Sequence, residues 1–351
     1  MQNLFALVLL LSSLPAVAWD QHQSMMDLML ESDGVASRAY LKEVVTIPSE
    51  ADQKKEIETL SKSLQVNPEK IAIQKPGKTT VIDFIRGETV DEPDFGMDQD
   101  LADDVDPNGD RAWMGGKTGP TSQGFRHMFF NGIEWGSPLR TLQIPTRTIG
   151  QTPDRIEKIR AISQKYFSEK NRYWGLRTLL WEIHLLQDLH QPFHVMQVPY
   201  FKMLPWKNLF SGFVGRSIQV IANYHYAYEG FIRESVDESV LSELVPCFAV
   251  DAQPVQVKTD TMEIMHLARK SAENIGIPLY RLWDDTMKNP DVNLPEGIGG
   301  VDYYSYLHAS AEEEGQKEKV ESVQALLKET CGLIKHLTVV TFSELDQALK
   351  P

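Results

Sequence analysis

Residues 172–194 read RYWGLRTLLWEIHLLQDLHQPFH, and they are the strongest fold signal in the chain. The helix that they predict carries apolar side chains on most of its sides, so it belongs at the centre of a hydrophobic core. Pro192 marks the end of this helix, because proline lacks the backbone N–H that an α-helix needs and clashes with the preceding turn. A buried central helix of this kind predicts a helical domain.

Apolar residues recur at helical spacing in most of the remaining chain, including the segments 24–70, 153–170, 217–235 and 258–349. The first of these segments predicts two helices separated by a turn. Residues 85–125 are instead rich in Asp, Gly and Pro and predict a long loop. Because strand-like alternation is scarce and no repeat or interdomain linker occurs, we expect one all-α domain with many helices, covering residues 19–351.

The composition of the 351 residues is that of a globular protein, with 42% hydrophobic and 24% charged residues. The formal net charge is -14. An acidic protein gains little from the release of counterions on a polyanion, so the charge disfavours tight binding of duplex nucleic acid. It does not exclude a nuclease, because bound metal ions would supply local positive charge.

The N-terminus reads MQNLFALVLLLSSLPAVAWD and is typical of a secretory signal peptide. An apolar run from Leu4 to Leu14 precedes small residues at Ala16 and Ala18, although the segment before the run has no Lys or Arg. The run is too short for a membrane span, which needs about 20 apolar residues. We expect cleavage after Ala18, a mature chain that begins with Trp19, and a secreted or periplasmic location.

Two cysteines, Cys247 and Cys331, lie in the exported part of the chain. An oxidising compartment permits a disulfide between them, and two free buried thiols are the alternative. No other segment is long and apolar enough to span a membrane, so the mature protein is expected to be soluble or peripheral.

The chemistry of the chain centres on His184, Asp188 and His194. A spacing of four residues places the side chains of His184 and Asp188 on one face of the same helix. Because Pro192 ends that helix, His194 can turn back toward the same place. Imidazole nitrogen and carboxylate oxygen are ligands that Zn²⁺ accepts. A capping histidine beside a core histidine is the alternative, but three such groups in an apolar helix favour a metal.

A second pair with the same spacing, His225 and Glu229, follows in NYHYAYEG. Alone, such a pair is often a surface ion pair. After the first cluster, it becomes the expected second contributor to a metal site.

These motifs resemble those of the zinc-dependent phospholipases C of bacteria and of the related single-strand-specific nucleases of fungi and plants. That family is marked by a His, an Asp four residues later and a His six residues after that, with a Pro-containing pair before the last His. His184, Asp188, Pro192 and His194 fit this pattern, and Gln191 completes the pair. The family also uses a His followed four residues later by Glu or Asp, which His225 and Glu229 match.

The resemblance further implies that an N-terminal Trp, a nearby His, and an upstream Asp and His complete three zinc sites. The implied ligands are Asp94, His127, His184 and Asp188 for one ion, His194, His225 and Glu229 for a second, and Trp19, His22 and Asp188 for a third. Asp188 would then bridge two ions. Asp98 is the alternative to Asp94, and either carboxylate could also orient or deprotonate the attacking water.

A zinc-dependent phosphodiester hydrolase is the function that the resemblance implies, with phospholipid or single-stranded nucleic acid as its substrate. Residues 198–213 lie between two metal-binding segments and contain many apolar and aromatic residues. They could contact a lipid surface, stack on bases or pack in the core. Glu229, where Asp would also fit, favours the phospholipase branch. A non-catalytic protein with structural zinc is the alternative of another class.

Overall fold

In the computed structural model the described residues are 22–64, 66, 68–87, 128–130, 149–196, 213–236, 242–254, 257–283, 301, 303–308 and 316–349. Several residues of the sequence-based predictions lie outside them. These are the signal segment 1–18, Trp19, Asp94, Asp98, His127 and the greater part of the apolar segment 198–213.

The described part of the chain is mostly helical, so the prediction of an all-α fold is confirmed. The α-helices are α1 (His22–Leu30), α2 (Glu50–Leu64), α3 (Val81–Arg86), α4 (Thr152–Ser168), α5 (Arg172–His190), α6 (Pro192–Val195), α7 (Phe213–Val236), α8 (Thr261–Trp283), α9 (Tyr303–His308) and α10 (Lys317–Leu349). Short 3-10 helices occur at Asp33–Ser37, Ala39–Lys42, Pro68–Lys70 and Ser242–Phe248. The two helices expected between residues 24 and 70 correspond to α1 and α2.

Two small antiparallel pairs of strands complete the described secondary structure. Strands β1 (Val44–Ile47) and β2 (Gly77–Thr80) pair with Val44 opposite Thr80. Strands β3 (Phe129–Phe130) and β4 (Ile149–Gly150) contain two residues each. Neither pair is large enough to form a layer of its own, so the core is built by helices.

Helix α5 lies at the centre of the core, as its sequence predicts, and is buried from Tyr173 to His190. Its first turn is capped by Asn171, whose side chain accepts a hydrogen bond from the backbone N–H of Trp174. Helix α4 packs along α5, and their close approach depends on Gly175. A Cβ atom at that position would lie 2.9 Å from the ring of Phe167.

The C-terminal helices cover another side of α5. Helix α10 packs against both α5 and α8, and it is joined to the 3-10 helix Ser242–Phe248 by a disulfide between Cys247 and Cys331. The structure therefore contains the disulfide rather than the two free thiols. Such a bond is typical of proteins that fold in an oxidising compartment. Among the described helices, none is long and apolar enough to cross a membrane.

A buried ion pair fastens the N-terminal segment to α10. The guanidinium of Arg38 donates hydrogen bonds to both carboxylate oxygens of Asp346, at 3.1 and 3.2 Å. The hydroxyl of Tyr40 donates a third hydrogen bond to the same carboxylate at 2.9 Å. These hydrogen bonds hold the segment that follows α1 against the C-terminal part of α10.

Candidate metal centre

A first group of metal-ligand side chains forms where α1 meets α5. His184 and Asp188 lie on successive turns of α5, and His184 Nε2 is 3.6 Å from Asp188 Oδ2. His22, at the first residue of α1, approaches from the other side, with Nε2 3.5 Å from Asp188 Oδ1. The ring centroids of His22 and His184 lie 3.9 Å apart. One ligand atom from each of the three residues lies within 4.8 Å of the other two.

A second group forms where α6 meets α7. The chain leaves α5 at Gln191, whose side-chain oxygen accepts a hydrogen bond from the backbone N–H of Phe193 and so caps α6. This turn brings His194 to α7, where its Nε2 lies 2.9 Å from Nε2 of His225. Glu229, one turn further along α7, places Oε1 3.0 Å from His225 Nε2 and 3.8 Å from His194 Nε2. One ligand atom from each of these three residues also lies within 4.8 Å of the other two.

The two groups are neighbours and are joined by one contact. Nδ1 of His194 lies 3.3 Å from Oδ1 of Asp188, while Nε2 of the same ring faces the second group. His194 thus contacts the first group through one ring nitrogen and belongs to the second through the other. The six side chains form one continuous cluster.

The cluster is buried, and its carboxylates are poorly hydrogen-bonded within the described residues. Asp188 is 0% exposed and Glu229 is 6% exposed. Neither oxygen of Asp188, nor Oε1 of Glu229, has a hydrogen-bond partner among those residues. A buried carboxylate without hydrogen bonds is costly, so the surroundings of these oxygens favour a bound cation.

The pKa shifts of Asp188 and His194 also favour a bound cation. Burial alone raises the pKa of this carboxyl, but the charge of His184 and the contacts with His194 and His22 hold the pKa well below its usual range. Burial lowers the pKa of His194, an effect that Asp188 partly opposes. An ionised carboxylate and a neutral imidazole are the forms that bind a divalent metal, and these two shifts favour those forms at Asp188 and His194.

His190 lies in the same motif but points away from the cluster. Its Nδ1 is 2.7 Å from the backbone oxygen of Leu186, and its Nε2 is 2.9 Å from Nδ1 of His336 on α10. Because a carbonyl oxygen only accepts, Nδ1 of His190 is the donor, and Nε2 accepts from His336. Burial lowers the pKa of His190 to about 3. Both ring nitrogens of His190 are therefore engaged by residues outside the two groups.

The residues present fit zinc. Both groups offer imidazole nitrogen and carboxylate oxygen and contain no sulfur, a donor set that suits zinc better than magnesium or calcium, which prefer oxygen alone. The buried oxygens of Asp188 and Glu229 that have no hydrogen-bond partner among the described residues add to that fit.

The structure brings together six of the residues proposed from the sequence: His22, His184, Asp188, His194, His225 and Glu229. The other proposed ligands, Trp19, Asp94 and His127, and the alternative Asp98, lie outside the described residues. One buried neighbour of the cluster was not proposed from the sequence. Gln187 contacts His22, and nothing in the spacing of two residues 165 positions apart could indicate that contact.

Comparisons of the chain with models of protein families, with curated proteins and with solved structures give no match.

Proposed function

We propose that this protein is an exported zinc-dependent phosphodiester hydrolase of the phospholipase C type. One observation carries the proposal: two buried groups of His and carboxylate side chains meet at Asp188 and His194, whose facing atoms are 3.3 Å apart. Neighbouring metal sites stabilise the attacking and leaving oxygens in many enzymes that cleave phosphate esters.

Each described group offers three ligands, which leaves room in a four-coordinate zinc site for one further ligand. In the proposed enzyme, Asp94, His127 and Trp19 complete the first group as sites for two ions, with Asp188 bridging them. His194, His225 and Glu229 hold a third ion. These assignments rest on the sequence resemblance as well as on the clustering of the described side chains.

The buried surroundings of the ligands support the proposal. His184 and Asp188 lie on α5, which is buried from Tyr173 to His190, and His194 lies in a turn that Gln191 caps. When bound, clustered zinc ions supply a hydroxide nucleophile at neutral pH and withdraw charge from the phosphoryl oxygens. Asp94, with Asp98 as the alternative, is proposed to orient the attacking water.

The charge of the site suits an anionic substrate. Asp188 and Glu229 are the carboxylates of the two described groups, and their two negative charges offset only half of the charge of two divalent ions. The metal-loaded cluster would therefore attract a phosphodiester even though the whole chain carries a net charge of -14.

Structural zinc is less well supported by the donor set. Structural sites are closed, use four protein ligands and are often rich in cysteine. Both cysteines of this chain are joined to each other instead, and the described donors of both groups are imidazoles and carboxylates.

Phospholipid is the substrate that we propose. The apolar segment 198–213 connects the part of the chain that carries His194 to helix α7, which carries His225 and Glu229. A segment in that position is suited to contact a lipid surface beside the metals. Glu229 is also the residue type that favours the phospholipase branch.

The test is to purify the chain from Trp19 onward, measure its metal content by mass spectrometry and assay it on phosphatidylcholine micelles and on single-stranded DNA. We expect three zinc ions per chain and release of the phosphorylated head group. Activity on DNA alone would replace the lipid substrate by a nucleic acid. Less than one zinc per chain together with no phosphodiesterase activity would refute the proposal.

A further inference from the structure

Gln187 makes a buried contact with His22 that no ligand role explains. Gln187 lies on α5 between His184 and Asp188 and is 0% exposed. Its side-chain oxygen Oε1 is 2.5 Å from Nδ1 of His22. The contact joins α5 to the first residue of α1, across 165 positions of sequence.

The contact determines which ring nitrogen of His22 carries a proton. An amide oxygen only accepts hydrogen bonds, so Nδ1 of His22 must be the donor. The other nitrogen, Nε2, is then the one whose lone pair is available. Nε2 is also the atom that lies 3.5 Å from Oδ1 of Asp188, on the side where the three ligand atoms converge.

His22 needs such a contact more than the other described ligands do. His184 and His225 each belong to a helix that also carries their partner four residues later, so helix geometry alone aligns the pair. His22 instead begins its own helix and reaches the cluster from another part of the chain. Its helix packs into the core through Met25, Met26 and Met29, all 0% exposed, and the contact of Nδ1 with Gln187 adds a directional restraint on the imidazole ring.

We propose that Gln187 is a positioning residue that holds His22 in the tautomer and ring orientation in which Nε2 binds zinc. The inference rests on the proposed function, because it takes His22 to be a zinc ligand. Partners of this kind orient metal-bound histidines in many proteins, and their loss costs about 10- to 100-fold in metal affinity or activity.

The side-chain nitrogen of Gln187 determines whether a substitution can remove the contact with His22 alone. Nε2 of Gln187 has no hydrogen-bond partner among the described residues. Gln187→Met, of similar length, therefore removes the contact with His22 and leaves no other described hydrogen bond of Gln187 broken. Gln187→Glu keeps an acceptor oxygen opposite Nδ1 and should preserve the tautomer.

Thr178→Val is the matched control on the same helix. Thr178 is also buried and loses a hydroxyl, but that hydroxyl donates to the backbone oxygen of Trp174 within α5 and touches no ligand. The zinc affinity of each variant is measured by competition with a chelator of known affinity. In the zinc-free forms of the same proteins, ¹⁵N NMR of the histidine rings identifies the nitrogen of His22 that carries the proton.

We expect Gln187→Met to weaken the binding of one zinc ion by about 10- to 100-fold and to abolish the protonated Nδ1 signal of His22. Gln187→Glu should keep both within a few-fold of the parent, and Thr178→Val should change neither. If Gln187→Met binds zinc like the parent and retains the Nδ1 proton, the role of Gln187 is refuted while the proposed hydrolase stands. If the parent binds no zinc, both inferences fail.

Discussion

Asp188 Oδ1 and His194 Nδ1 lie 3.3 Å apart in the buried interior of the protein. This contact joins a group that His22, His184 and Asp188 form to a group that His194, His225 and Glu229 form. Asp188 is therefore in contact with members of both groups, whereas Glu229 approaches only the second. The two carboxylates should differ in what their loss does to metal binding.

Asp188→Asn should lower the zinc content of both groups, because it removes the negative charge that lies against His22, His184 and His194. Glu229→Gln should lower the zinc content of the second group alone. Since a metal contributes several kcal/mol to such a reaction, and about 1.4 kcal/mol is tenfold in rate, we expect phosphodiesterase activity to fall by at least about a hundredfold in Asp188→Asn.

The measurement is metal content by mass spectrometry for both variants, beside Thr178→Val as a folded control from the same helix. Circular dichroism checks that each protein keeps its helices. Equal zinc losses in Asp188→Asn and Glu229→Gln would contradict the bridging position of Asp188.

Local spacing was enough to predict the helices and two of the pairings in the cluster. A repeat of 3.6 residues places His184 with Asp188, and His225 with Glu229, whatever the rest of the fold does. Pro192 ends α5 for a reason that belongs to proline itself. These features depend on residues within one or two turns of each other, and the structure contains them.

Contacts between distant segments could not be predicted in the same way. The hydrogen bond between Gln187 and His22 and the close approach of Gly175 to Phe167 depend on how helices pack. The spacing of residues along one helix does not indicate which face of another helix lies opposite. The position of His22 was expected only from the family resemblance, and the pairing of the two cysteines was left open.

Removal of the metals should destabilise the protein without unfolding it. The hydrophobic core along α5, including Leu176, Ile183 and Leu189, does not depend on the ligands. A ligand present at a thousandfold excess over its dissociation constant stabilises the folded state by about 4 kcal/mol. We therefore expect a chelator to lower the melting temperature by several degrees while the far-UV circular dichroism at room temperature remains helical.

Added Zn²⁺ should restore the melting temperature and added Mg²⁺ should not, because magnesium prefers oxygen ligands to imidazole. Differential scanning calorimetry with and without each ion measures this. Complete loss of helix on chelation would indicate that zinc holds the fold together, which is the structural role rather than the catalytic one.

Removal of one partner from the buried pair of Arg38 and Asp346 should strongly destabilise the protein. Asp346→Asn leaves the guanidinium of Arg38 buried without its charged partner, and breaking such a pair costs about 3–5 kcal/mol. The exposed pair of Lys165 and Glu169, 3.9 Å apart, is the matched control, because exposed pairs contribute about 0–1 kcal/mol. Urea unfolding of Asp346→Asn and Glu169→Gln compares the two. Similar free energies of unfolding for both variants would contradict the prediction.

The disulfide between Cys247 and Cys331 should stabilise the protein without taking part in its chemistry. It links residues that lie 84 positions apart, for which restriction of the unfolded chain is worth about 4.5 kcal/mol. Neither cysteine belongs to the groups that would bind metal. Cys247→Ala with Cys331→Ala should therefore lower the midpoint of urea unfolding and leave the zinc content and the specific activity unchanged.

The parent protein treated with a phosphine reductant is the control, because reduction breaks the cross-link and keeps both sulfur atoms. It separates the loss of the cross-link from the loss of packing. An unchanged midpoint in the reduced parent, or loss of zinc from the double variant, would show that the bond does not act in this way.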